Sequence, residues 1–173
     1  SFIDDDPFAV LPGDDVVYNE TNPALRQMID IYNDLGATIL GCQEVPLEKV
    51  SSYGIVAGVP VEGKNVLRVT NMIEKPSVEE APSRTAVLGR YIITPDVFEV
   101  LARTEPGKGG EIQLTDAIQT MASREAVYAY CFKGKRYDVG DKLGFLKATV
   151  EYALRRPDLG EPFRQYLTDL MTK

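Results

Sequence analysis

Two adjacent carboxylates, Asp14 and Asp15, interrupt the run FAVLPGDDVV that spans residues 8–17. A short apolar run stopping at a glycine predicts a buried strand that ends in acids. Open α/β sheets bind ligands outside the carboxyl ends of their strands, and a carboxylate placed there can hold a divalent cation against phosphate oxygens. An isolated pair of acids more often satisfies turn amides and meets solvent, so a metal reading needs a second, distant acid. Asp138 is the candidate: it stands in YDVG, a few residues beyond the apolar segment from Val127 to Phe132 and just before a predicted helix. On neighbouring strand ends, Asp14 and Asp138 would grip one cation or two between them. Magnesium suits such a pair, because it keeps several waters and needs only one or two protein carboxylates beside substrate phosphates.

Glu74-Lys75-Pro76 closes a strand-like segment over residues 66–73. Proline disfavours the helical region for the residue before it, so Lys75 is expected to stay extended while Glu74 projects elsewhere. A carboxylate accepts from two sugar hydroxyls, and an ammonium meets a phosphate as a compact point charge. An exposed charged turn is the commoner fate of such a tripeptide. Gly54, opening another strand, lets a ligand or a second backbone come close, or simply marks a bulge or turn. Gly107 to Gly110, GKGG, lacks the spacing and the Lys-Ser/Thr of a Walker loop and reads as a hinge or turn before a helix. The acids at Asp4 to Asp6 read as a solvated loop.

The 173 residues are 44% hydrophobic and 26% charged, which fits one globular core or part of one. Nineteen basic against 26 acidic residues give a net charge of −7, which argues against nucleic acid as a partner but not against a phosphorylated small molecule in a locally cationic pocket. The chain has no histidine, which excludes a Ser-His-Asp triad, a Cys-His pair and any His-containing zinc site. Chemistry here must run on carboxylates, lysine or metal. Cys42 and Cys131 form no C-x-x-C and lie in apolar strand-like segments, so reduced thiols and a cytoplasmic location are expected. The N-terminal SFIDDDPF has no signal-peptide pattern and no run reaches membrane-spanning length, so no membrane partner is expected. The chain starts without methionine and enters a core strand almost at once, as a segment of something longer would.

These residues need a scaffold. Asn22 and Pro23 followed by Leu25, Met28, Ile29, Tyr32 and Leu35 predict an amphipathic helix capped by Asn22 and ended by Gly36. With the strands on either side it makes a parallel crossover unit. Strand-like segments at residues 53–57, 66–74 and 85–94, joined by short Gly- or Pro-containing loops, imply some antiparallel pairing. A short helix starts at Thr94-Pro95, a longer one covers residues 114–124, and Asp141 caps a helix over 142–155. Phe163, Tyr166, Leu167, Leu170 and Met171 form an apolar stripe on a tail helix, which must be buried somewhere.

In order, FAVLPGDD, YGIV, EKP, APSRTAVLGRYI, GGEIQLTDAI and GKRYDVGDKLGF resemble the bacterial UTP:glucose-1-phosphate uridylyltransferases, or UDP-glucose pyrophosphorylases, from Pro7 to about Leu154. The last two stretches are specific to that family; G-D-D and E-K-P are shared by sugar-phosphate nucleotidyltransferases at large. The resemblance implies an α/β, Rossmann-like nucleotidyltransferase fold with a mixed, mainly parallel sheet and C-terminal helices. Residues 1–173 would form the C-terminal part of one domain, with a core over 1–156 and a tail helix over 157–173. It also implies Mg²⁺-dependent reaction of UTP with glucose 1-phosphate to give UDP-glucose and pyrophosphate. Carried over by position, Asp14 and Asp138 resemble the metal-binding aspartates, Asp15 a neighbour of the sugar site, Gly54 and Glu74 the residues that hold glucose hydroxyls, and Lys75 the lysine that meets the sugar phosphate. The family's G-x-G-T-R nucleotide loop is absent from this chain, which is therefore expected to be inactive alone. Arg84 stands where many members carry asparagine. A catalytically silent sugar-nucleotide-binding subunit on the same scaffold is the alternative, and the tail stripe suggests a homo-oligomer.

Overall fold

The computed structural model describes residues 3–172, apart from the side chain of Lys108. The periodic apolar residues between Leu25 and Leu35 form α1 (Ala24–Leu35), ended by Gly36 in the left-handed conformation, whose N–H donates to the Tyr32 carbonyl at 2.7 Å. Asn22 does not cap it with its side chain. Asn19 organises that turn instead, accepting from the backbone N–H groups of Thr21 and Asn22.

Among the described residues eight strands follow in chain order: β1 (Phe8–Val10), β2 (Asp15–Tyr18), β3 (Thr38–Glu44), β4 (Gly54–Pro60), β5 (Leu67–Glu74), β6 (Thr85–Ile93), β7 (Val127–Cys131) and β8 (Lys135–Asp138). Helices α2 (Val97–Leu101), α3 (Leu114–Ala122), α4 (Lys142–Arg155) and α5 (Gly160–Met171) complete the set. They divide into two compact units, one from the chain up to Pro12 together with Asn19–Gly134, the other from Gly13–Tyr18 together with the chain from Lys135 onward. The tail helix α5 thus groups with α4 and β8, a division that cuts across the expected boundary at residue 156.

The first unit holds a six-stranded mixed sheet in the order β1-β6-β3-β7-β5-β4. The expected predominance of parallel pairs is corrected: β3 and β7 pair in parallel, and every other pairing described in this sheet is antiparallel. The helical crossover does set β1 and β3 in the same direction, but β6 lies between them, antiparallel to both. The short loop joining β4 to β5 has no room for a crossover and returns the chain as an antiparallel neighbour, whereas β6 pairs antiparallel with β1, β3 and the start of β4. Strand alternation then sorts the core. Ile39 and Ile92 meet Met28 of α1 on one face, while Leu40, Cys42 and Val56 meet Ile118 and Met121 of α3 on the other. Gly41 faces α1, and a Cβ there would lie 2.8 Å from the Met28 sulfur.

The second unit pairs β2 with β8 antiparallel, Asp15 opposite Asp138 and Val17 opposite Arg136. The acids therefore do not terminate a buried strand: β1 ends at Val10, Asp14 lies in the following turn and Asp15 begins β2. On one side of β8 Tyr137 donates to Glu151 of α4 at 2.7 Å, and Lys135 donates to the same carboxylate at 2.7 Å. Arg155 donates to both Glu151 and the Tyr137 hydroxyl and stacks 4.0 Å from the centre of the Tyr18 ring. On α5, Tyr166, Leu170 and Met171 remain exposed, so this stripe is not buried within the chain.

Hydrogen bonds from Lys135, then from Tyr137, pull the Glu151 carboxyl down from 4.5 to about 2. The unfolded chain takes up that proton more readily, so the stabilisation is complete above the ordinary value and disappears as pH falls through the depressed one. Glu151→Gln should lower the urea midpoint at about pH 7, and the gap from the parent protein should narrow on going to about pH 3. Urea titrations at both pH values check this; a gap unchanged by acid would show that Glu151 is not held as described.

Candidate functional site

In the second unit the metal candidates converge on a glycine. A Cβ built on Gly140 would lie 3.4 Å from Asp138 Oδ1 and 3.6 Å from Asp14 Oδ2. Val139 N–H donates to the Asp14 carbonyl at 2.8 Å, so the turn after β8 is tied to the turn before β2. One oxygen of each carboxylate thus borders the same space beside Gly140. Among the described residues no three or more His, Cys, Asp or Glu side chains are grouped to hold a metal by themselves. Two carboxylates open to further oxygen ligands suit a hard, oxygen-preferring cation completed by water and phosphate.

Asp15 is placed differently. Arg136 Nε and Nη2 donate to its two carboxylate oxygens, the Nη2 contact at 3.1 Å, and the paired side chains are 14% and 13% exposed. Nη2 also lies 3.5 Å from Asp138 Oδ2. Asp15 is therefore spent on an arginine that the sequence reading did not single out, although it stands in GKRYDVG. Gly144 in the first turn of α4 is equally specific: a Cβ there would collide with the Asp138 carbonyl oxygen. Asp141 caps this helix as expected, accepting from Gly144 N–H at 2.8 Å.

In the first unit Glu74 ends β5 directly opposite Gly54, which begins β4. Thr115 Oγ1 donates to Glu74 Oε2 at 2.5 Å, and a Cβ on residue 54 would lie 3.0 Å from that same oxygen. Gly54 is thus the space in which the carboxylate sits. Lys75 is not extended: its φ is +45°, a strained value for a residue other than glycine, and its N–H donates to the Tyr53 carbonyl at 3.0 Å. That closure overrides the usual pre-proline preference and brings Lys75 Nζ to 3.8 Å from Glu74 Oε1. Glu74, Lys75, Gly109, Glu111 and Gln113 line a cavity of about 310 Å³. The GKGG turn is therefore a wall of this cavity as well as a turn. Arg84 lies on the surface, 3.6 Å from Glu44.

The nucleotidyl transferase family profile matches residues 1–154. The chain belongs to the nucleotidyl transferase family. A Bacillus subtilis protein named UTP–glucose-1-phosphate uridylyltransferase is 47% identical over 173 residues, covering 100% of this chain and 59% of that protein. A Staphylococcus epidermidis protein of the same name is 46% identical over 169 residues, covering 98% and 58%. A crystal structure of a UDP-glucose pyrophosphorylase complexed with UDP-glucose matches with a TM-score of 0.84 and 44% identity over 90% of this chain and 59% of that one. A UTP-bound UGPase from Acinetobacter baumannii matches at 0.84 with 38% identity over 98% and 58%. This nucleotidyl transferase chain spans 58% to 59% of the length of those curated relatives, and the expected α/β fold with a mixed sheet and helices stands. No helix among its described residues is long and apolar enough to cross a membrane.

Gly144→Ala should destabilise this nucleotidyl transferase by about 1–3 kcal/mol, because the added methyl meets backbone that cannot swing aside. Thermal unfolding of the variant tests it; an unchanged midpoint would mean that α4 does not start this close to Asp138.

Proposed function

We propose that this chain is the sugar- and metal-binding part of an enzyme that transfers uridylyl from UTP to glucose 1-phosphate, giving UDP-glucose and pyrophosphate. One observation carries the reading: an acid seated in the space of a glycine and a lysine held at an unusual φ line the same cavity. Glu74 would accept hydrogen bonds from glucose hydroxyls, Gly54 would let the sugar approach that strand edge, and Lys75 would meet the sugar phosphate. The names of the relatives agree with this chemistry.

A phosphate oxygen of glucose 1-phosphate forms a bond to the α-phosphorus of UTP as the bond from that phosphorus to the bridging β-phosphate oxygen breaks, and pyrophosphate leaves with those electrons. No protein nucleophile is needed, so a chain without histidine loses nothing, and positioning with charge neutralisation does the work. Asp14 and Asp138 would hold Mg²⁺, which when bound neutralises charge on the reacting phosphates. Lys75 adds a second positive charge from the sugar side. The exposed stripe on α5 supports a homo-oligomeric whole protein.

Turnover is read as pyrophosphate release, and the 173-residue chain by itself should give none. In the full-length protein Asp14→Ala should lower kcat by about 100-fold or more. Glu74→Ala should raise KM for glucose 1-phosphate by roughly 10- to 100-fold, the worth of a hydrogen bond to a charged group. An unchanged KM would overturn the sugar assignment, and normal kcat in Asp14→Ala would overturn the metal one.

A further inference from the structure

The two oxygens of Asp138 face different partners. Oδ2 lies 3.5 Å from Arg136 Nη2, and Oδ1 borders the space over Gly140 that Asp14 also borders. Arg136 holds Asp15 through Nε and that same Nη2, so one guanidinium nitrogen lies between the two acids. From this geometry we infer that Arg136 is a positioning residue for the cation site: anchored on Asp15, it fixes the carboxylate of Asp138 so that Oδ1 is presented beside Asp14. The inference rests on the proposed role of Asp14 and Asp138.

Register makes the arrangement possible. Arg136 and Asp138 are two residues apart on β8 and share a face, and Asp15 is the direct cross-strand partner of Asp138. Asp15 and Arg136 are nearly buried, so the fork between them is well shielded from water and holds its geometry better than an exposed pair would. Asp14, Asp15 and Asp138 carry three negative charges against the one of Arg136. The remainder is two, the charge of a single divalent cation. Asp141, the next acid along, is taken by the N-terminus of α4. Lysine at 136 offers a point charge where a planar fork is needed, and it cannot hold two carboxylates in fixed directions at once.

The test uses Mn²⁺ binding to the full-length protein, followed by electron paramagnetic resonance of the free ion, for Arg136→Met, Arg136→Lys, Asp15→Asn and Asp14→Asn. Loss of an outer-shell partner typically weakens metal affinity by roughly 10- to 100-fold, and that is the weakening expected for both Arg136 variants. KM for glucose 1-phosphate should stay within about twofold, because Glu74 has its own hold from Thr115 beside Gly54. Asp15→Asn keeps one acceptor for the guanidinium and should weaken Mn²⁺ binding less than Arg136→Met does. Wild-type Mn²⁺ affinity in Arg136→Lys, with Asp14→Asn abolishing binding, overturns this inference alone. Unaltered binding in Asp14→Asn instead overturns the proposed metal site on which it rests. Parallel loss of sugar and metal binding in Arg136→Lys would reduce Arg136 to a purely structural role and also overturn it. Arg136→Lys and Asp15→Asn keep the question decidable where Arg136→Met does not fold.

Discussion

Carboxylates crowded on one short ladder repel one another, and β2 with β8 brings Asp15 and Asp138 face to face with Asp14 adjacent. Unrelieved, that repulsion would splay the strands. Arg136 relieves it by taking Asp15 out of the count, and it does so asymmetrically, with a two-point grip on one acid and a longer contact to the other. The rest of the ladder is built around keeping this guanidinium in place. On the opposite side of β8, Lys135 and Tyr137 are tied to Glu151, and Arg155 closes that cluster against Tyr18. A strand of four residues cannot hold itself. Here it is gripped on both faces, and each grip uses charge-assisted hydrogen bonds, which are shorter and stronger than neutral ones.

The other cluster stores its specificity in backbone conformation. A non-glycine residue at positive φ costs about 1–3 kcal/mol, and before proline the alternatives are already restricted. What holds Lys75 there is its N–H bond to Tyr53, supported by the Gly54 to Glu74 pairing beside it. A hydrogen bond to a charged group, like the one from Thr115 to Glu74, is worth about 1.5–3 kcal/mol. The two magnitudes are comparable, so the strained lysine and the seated glutamate are best regarded as one device. Removing Thr115 or the Gly54 space would release both.

Elements announced by periodicity and caps were readable: α1, α4 with its Asp141 cap, and the strands from β3 to β7 fall within a few residues of where the pattern puts them. The pairing was less so. Nothing in the crossover between β1 and β3 says that β6 will insert between them, because partner choice depends on residues about forty to eighty-five positions away. β2 and β8 were missed as a pair for the same reason, with the added difficulty that four-residue segments carry almost no periodicity. Asp14, Asp138, Gly54, Glu74 and Lys75 stood out because acids, lysine and glycine at strand ends are chemically conspicuous. Arg136 and Thr115 did not, since each acts through another side chain, and a cross-chain partner cannot be inferred from local spacing.

Asp15 and Arg136 are 121 residues apart in sequence. Closing so long a loop carries a substantial entropic cost, although it grows only slowly with length, by about 0.6 kcal/mol per doubling. Within the first unit the two ends of that loop are drawn together by hydrogen bonds. Gln27, buried in α1, donates to the carbonyl of Lys133 at 2.7 Å and accepts from its N–H at 2.8 Å, while Asn19 donates to the same carbonyl at 3.0 Å. The Gln27 amide is further satisfied by Asn22 and Tyr130, so it is locked rather than merely present. With residues 19 and 133 pinned together, the chain leaves the first unit as two adjacent ends, and pairing Tyr18 with Lys135 becomes a local event. One buried glutamine thus holds together the two points of the chain from which β2 and β8 begin their pairing at Tyr18 and Lys135.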